Sequence, residues 1–159
     1  ISAILDNTLN LKAKVTSKRD RVVYEKLERI IQDKKYSEKY FLECQLQINK
    51  DLKLAIENDT KIEYVSPILP PIFSQLTIWD KEIVLSNKDV LYTVLNNMGD
   101  KWMLNLICLK DGKSYLIAQD FEVQKNLEKL FHKIFKVDMM ELDNVWLRKE
   151  IMKIAQEQK

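Results

Sequence analysis

Three short stretches of this chain carry side chains that could meet an ion or a substrate. The first is Asp6-Asn7-Thr8, where an apolar run from Ile1 to Leu5 breaks before resuming as Leu9-Asn10-Leu11. Carboxylate and amide oxygens are hard donors of the kind that magnesium and manganese take. The same side chains also satisfy loose backbone groups at a helix end. The second stretch is Arg148-Lys149. Arg148 offers a planar fork matched to two phosphate oxygens, and Lys149 a mobile point charge. Such a pair on its own is also ordinary solvated surface. The third is 73–80, in which Ser74-Gln75 interrupts a β-branched and aromatic run; it reads equally as a half-buried strand.

Composition removes several kinds of chemistry. A single histidine, His132, cannot supply a metal site built on several imidazoles, nor a Ser/His/Asp or Cys/His arrangement at any visible spacing. It reads as a surface side chain. Gly99 and Gly112 are the only glycines, which excludes a glycine-rich phosphate loop. The net charge of +2 argues against a strongly basic nucleic-acid binder while leaving room for a local basic pocket. Lys12, Lys14, Lys18, Arg19 and Arg21 form one basic cluster that could line a cleft or simply be solvated. Cys44 and Cys108 stand alone in apolar contexts and read as buried reduced thiols, as in a cytoplasmic protein. No window approaches the ~20 apolar residues that cross a bilayer, so no membrane partner is expected. No catalytic residue is expected within the chain itself.

The elements that must position these residues follow from pattern. At 159 residues, 46% hydrophobic and 31% charged, the chain fits one compact domain. Residues 1–8 read as a helix end. Thr16 or Ser17 caps a helix to about Asp33, with Val22, Val23, Leu27, Ile30 and Ile31 as its apolar face. Ser37 caps a long helix reaching Asn58-Asp59. Pro67, Pro70 and Pro71 then prevent regular structure before a strand over 72–79. A helix over 88–98 stops at Gly99. The run 102–109 reads as a strand buried on both faces, with Asp111-Gly112 turning it into a second strand over 114–118. Asp120 starts a helix with Phe121, Val123, Leu127, Leu130, Phe131 and Ile134 as its core stripe. A short strand over 137–142 and a helix-prone tail follow. Helices first, then alternating strands and helices, predict an α/β (α+β) fold: one mixed β-sheet flanked by helices, with two N-terminal helices preceding it.

The order of these motifs resembles the C-terminal domain of the DHH-family phosphoesterases, such as family II manganese-dependent inorganic pyrophosphatases and exopolyphosphatases. The apolar break at Asp6-Asn7-Thr8, the helix-start loop at Thr16-Ser17, the Gln75 strand, the late apolar strand and Arg148-Lys149 carry the resemblance. It implies that residues 1–15 end a preceding catalytic domain and linker, and that 16–159 form the substrate-binding domain. It implies Asp6 and Asn7 near a manganese or magnesium centre held mainly by the N-terminal catalytic domain. It implies Arg148 and Lys149 on the phosphates of pyrophosphate or polyphosphate.

The sequence departs from that pattern in three places. Asn7 falls where the family has a metal-ligating Asp, and Leu147 where it has a Ser. Pro70 or Pro71 falls where a phosphate-binding Lys is expected, which points to another substrate or to a different lysine. The expected function is therefore the substrate-binding domain of a metal-dependent phosphoanhydride hydrolase, inactive without its catalytic domain. The alternative is a non-catalytic interaction or regulatory module of the same fold. Nucleic-acid binding is disfavoured by the charge.

Overall fold

The run 102–109 does become the centre of the molecule. In the computed structural model, which describes residues 1–158, β3 (Trp102–Cys108) is buried along its whole length. Around it lie β1 (Thr60–Ile62), β2 (Ile72–Ile78), β4 (Lys113–Ile117) and β5 (Met139–Leu142), in the spatial order β1-β2-β3-β4-β5. The pair β2–β3 is parallel and the other three are antiparallel, making a mixed sheet. A parallel pair needs a crossover. It is made by the short α5 (Glu82–Leu85) and by α6 (Lys88–Met98).

Four helices precede the sheet: α1 (Ser2–Thr8), α2 (Lys18–Ile31), α3 (Tyr36–Lys50) and α4 (Leu52–Asn58). The chain closes with α7 (Phe121–Phe131), before β5, and α8 (Arg148–Glu157). The pleat divides the core in two. Ile72, Leu76, Trp102, Leu104 and Leu106 pack with Ile56, Val84, Leu91 and Leu95 of α4, α5 and α6. Phe73, Met103, Leu116 and Met140 pack with Val123 and Leu127 of α7 and with Ile151 and Ala155 of α8. A third cluster ties Leu5, Leu9 and Ala13 to Phe41, Ile107, Leu109 and Val145. No described helix is long and apolar enough to cross a membrane.

Several elements differ from the pattern-based expectation. The long helix after Ser37 is two helices, because Asp51 leaves helical geometry (φ −148°, ψ 79°) and its carboxylate accepts the Leu54 amide at 2.9 Å. An Asp at an N-cap favours a new helix over continuation of the old one. Helix α2 starts at Ser17 as expected, in a reciprocal cap with Asp20. Its apolar stripe, however, stays largely outside: Val22, Val23, Ile30 and Ile31 are exposed, since α2 does not lie over the sheet. Phe121 is exposed at the first turn of α7, and Ile134 lies beyond the helix, which ends where His132 turns left-handed (φ 53°). The free thiols divide: Cys108 is buried and Cys44 half-buried.

Val137 does not begin a strand. It occupies a two-residue turn between Lys136 and Met139, whose main chains bond reciprocally at 2.9 and 3.2 Å, and its φ is 62°. A β-branched residue is strained there. Replacing Val137 by Gly should raise unfolding stability by about 1 kcal/mol, strain relief exceeding the entropy cost of glycine. Urea titration reads it, and a lowered midpoint would contradict the strain.

The β3–β4 turn carries a charged staple. Asp111 Oδ2 lies 2.7 Å from both Lys81 Nζ and Tyr115 Oη. The Lys81 ammonium first, then the Tyr115 hydroxyl, push the Asp111 carboxyl down to about 2. A depressed folded value gives stability that is present above the unfolded value of ~3.9 and lost as pH falls towards about 2. Asp111→Asn should therefore cost stability at neutral pH. That difference from the parent chain should vanish near the lower value; a difference independent of pH would remove the staple.

Candidate functional site

Three polar side chains cross the middle of the otherwise apolar sheet face beneath α8. Gln75, Asn105 and Ser114 project from β2, β3 and β4; Gln75 and Asn105 are directly paired in register. Asn105 and Ser114 are fully buried. Buried polar groups need partners, and these find them in the segment that leads into α8. The Trp146 amide donates to Ser114 Oγ at 2.9 Å, and Asn105 Nδ2 donates to the Trp146 carbonyl at 2.6 Å. The Arg148 amide donates to Gln75 Oε1 at 2.7 Å, and the same oxygen accepts Asn105 Nδ2 at 3.2 Å. The sheet thereby holds the backbone of 146–148 and fixes where α8 begins.

Helix α8 begins at Arg148 with Leu147 as its N-cap. Leu147 has no hydroxyl to accept a first-turn amide, so only half of a reciprocal cap forms: Glu150 Oε2 accepts the Leu147 amide at 2.8 Å. The serine expected by resemblance would have stood at the cap. The side chain of Arg148 folds back onto the sheet edge. One Nη donates to the carbonyls of Asp59 (2.7 Å) and Phe73 (3.1 Å), and the other meets Asp59 Oδ1 at 2.8 Å. Its guanidinium carbon lies 5.9 Å from the centre of the Phe73 ring. Arg148 is thus largely a clamp between α8 and β1–β2, although a guanidinium has more N–H groups than these bonds use.

A cleft of about 350 Å³ opens beside this helix start, lined by Asp6, Asn7, Lys61, Gln75, Leu147, Arg148 and Lys149. All four residues singled out in the sequence, Asp6, Asn7, Arg148 and Lys149, border it. Asp6 and Asn7 come from the last turn of α1, which ends in consecutive left-handed residues Leu9, Asn10 and Leu11. Thr8 is buried and holds that turn, donating to the Ile4 carbonyl and accepting the Leu11 amide. Lys61 was not anticipated as a site residue. A three-residue edge strand leaves no periodic signal, and only its pairing with β2 turns Lys61 towards Gln75. Lys61 and Lys149 are exposed and have no ion-pair partner among the described residues.

The basic cluster near the N-terminus does something else. Lys12 Nζ donates to the Leu109 carbonyl, Lys14 Nζ sits 3.6 Å from the centre of the Trp146 ring, and Arg21 bonds the Leu11 carbonyl. These residues fasten the segment after α1 to the rest of the chain. His132 is exposed at the end of α7, as expected of a surface side chain.

The donor set on this cleft does not make a metal centre. It offers one carboxylate and two side-chain amides, and of these Asp6 Oδ2 already accepts the Tyr40 hydroxyl at 2.7 Å and Gln75 Oε1 the Arg148 and Asn105 N–H groups. The hydrogen bond to Asp6 is the first cause of the raised Tyr40 pKa. No group of three His, Cys, Asp or Glu residues fit for a metal occurs among the described residues. A manganese or magnesium ion at Asp6 and Asn7 would need further ligands from outside this chain.

The chain is similar to the crystal structure of a candidate family II inorganic pyrophosphatase from Methanococcus jannaschii, with a TM-score of 0.66 and 19% identity. The two share a fold. The likeness covers 97% of this chain and 53% of the other, so the chain spans about half the length of that protein. No family model and no curated protein matches the chain.

Gln75→Leu keeps the bulk but removes the oxygen that accepts both Arg148 and Asn105. It should cost roughly 1–3 kcal/mol and accelerate amide exchange at Arg148 before the rest of α8. Uniform exchange across α8 would show that the sheet does not hold its first turn.

Proposed function

We propose that this chain is the phosphate-binding lobe of a phosphoanhydride hydrolase of the family II pyrophosphatase kind, with pyrophosphate or a short polyphosphate as its anion. The observation that carries the proposal is the convergence of Lys61, Arg148 and Lys149 on one cleft at the start of α8. The amides of Leu147 and Arg148 are already taken by Glu150 and Gln75, so the helix start contributes its positive potential and the Lys149 amide, and two unpaired ammonium groups flank it. In this reading Lys61 and Lys149 neutralise phosphate oxygens as point charges, while Arg148 orients the helix start and turns its remaining N–H groups to the same anion. Lys61 fills the need for a second lysine created by the prolines at 70 and 71.

The lobe binds and neutralises; bond cleavage requires groups from a second domain. That domain would have to supply the manganese or magnesium ligands, and its closure over the cleft would exclude water and complete the site. The likeness to about half of a longer structure supports this division of labour, with residues 1–15 as the junction. Asn7 in place of a carboxylate, and Leu147 without a hydroxyl, favour a second reading, in which the lobe binds phosphate as a regulatory module without turnover.

Calorimetric titration with pyrophosphate tests the proposal. Lys61→Ala and Lys149→Ala should each weaken binding about tenfold or more, and raised salt should weaken the parent further. Arg148→Ala should lower stability as well as affinity, because Asp59 loses its partner. Affinity indifferent to both lysines would refute the proposed site. Joined to a partner domain and manganese, hydrolysis of pyrophosphate supports the first reading, and binding without hydrolysis the second.

A further inference from the structure

Strand β1 is the sheet edge next to the cleft, and its outward side is unused. The Glu63 amide donates to the Pro71 carbonyl, and the Gln75 amide to the Asp59 carbonyl. With the register Lys61↔Phe73, residues 59, 61 and 63 are therefore the ones that bond inward. By the alternation of an antiparallel ladder, the amides and carbonyls of Thr60, Ile62 and Tyr64 point away from the sheet. No strand lies beyond β1 among the described residues. Ile62 and Tyr64 are 67% and 76% exposed, so the edge is open in side chains as well as in backbone.

We propose that this edge pairs with the same edge of a second copy, antiparallel, about a twofold axis through Ile62. The outward phase allows an axis on any residue from Thr60 to Tyr64, but an axis on Lys61 or Glu63 sets that residue against its own copy and opposes like charges. An axis on Thr60 drives the end of α4 at Asn58 into the partner, and one on Tyr64 carries the ladder into the bends over 67–69, where the edge is no longer extended. The axis on Ile62 places Thr60 opposite Tyr64 and the two Ile62 residues opposite each other, as hydrogen-bonded pairs. Lys61 then stands directly opposite Glu63 of the second copy, twice by symmetry, in the closer non-hydrogen-bonded pairing.

Neither Lys61 nor Glu63 has an ion-pair partner among the described residues of its own chain. A lysine on an edge strand discourages casual pairing. A lysine and a glutamate two residues apart select a strand with the same pair reversed, and this strand supplies it. The result is an isologous dimer with one sheet running through both copies. Because Lys61 also borders the cleft, Glu63 of the second copy competes with the anion for it, so pairing and anion binding oppose each other. The pairing itself does not depend on which anion the cleft holds.

Sedimentation velocity of the chain across a concentration series tests this. The parent should show a concentration-dependent dimer. Ile62→Pro removes an amide that makes no bond within its chain, so the fold is kept and the dimer is lost. Glu63→Lys should weaken dimerisation about tenfold or more by opposing like charges, and Lys61→Glu combined with Glu63→Lys should restore it. A parent that stays monomeric at millimolar concentration would overturn the proposal. So would a dimer indifferent to Ile62→Pro or to the charge reversal. Circular dichroism of each variant establishes that it is folded, and a folded Ile62→Pro monomer supports the pairing.

Discussion

The geometry of the candidate site rests on one row of polar side chains crossing an apolar sheet. Gln75, Asn105 and Ser114 lie where a hydrophobic residue would bury more area, and two of them are wholly out of water. An unpaired amide there costs on the order of 1–3 kcal/mol. The row is tolerated because the main chain of 146–148 lies across it, giving each side chain a partner among atoms that are themselves leaving solvent. The satisfaction is incomplete, since Asn105 Oδ1 has no partner. Holding a loop backbone by fixed side chains specifies its position more sharply than packing alone, because a shift of one residue would orphan every group in the row.

From that anchor the rest of the site follows by short steps. Fixing the Arg148 amide fixes the first turn of α8, whose inner face, with Ile151 and Ala155, is then committed to the sheet. The Arg148 side chain returns to Asp59 and Phe73 and locks the helix start against β1 and β2. A half-buried ion pair of this kind gains from position more than from net energy. It leaves Lys149 outward, and it sets β1 so that Lys61 faces the same opening. The resulting potential belongs to two ammonium groups and a helix end, while Asp6 is partly masked by Tyr40.

Residues 1–13 belong to the same construction from the other side. Leu5, Leu9 and Ala13 are buried against Phe41, Ile107, Leu109 and Val145, and Lys12 and Lys14 fasten the segment to Leu109 and Trp146. Trp146 therefore lies between two constraints: its backbone is held by the sheet and its ring by a cation and by Phe131. Asp6 and Asn7 owe their place on the cleft to that packing.

The sequence alone determined what depends on near neighbours. The full burial of β3 was written in an unbroken apolar run, the start of α2 in Thr16-Ser17, and the β3–β4 turn in Asp111-Gly112. The chemical character of Asp6, Asn7, Arg148 and Lys149 was also plain, because residue type fixes which donors and charges a side chain can offer. Tertiary structure decided everything that joins distant segments. It brought Lys61 beside Lys149, spent much of Arg148 on Asp59, left the apolar stripe of α2 in solvent, and gave Gln75 a helix start to hold. Periodicity records which face of an element is apolar but not which surface meets it, and an edge strand as short as β1 has too few residues to record even that.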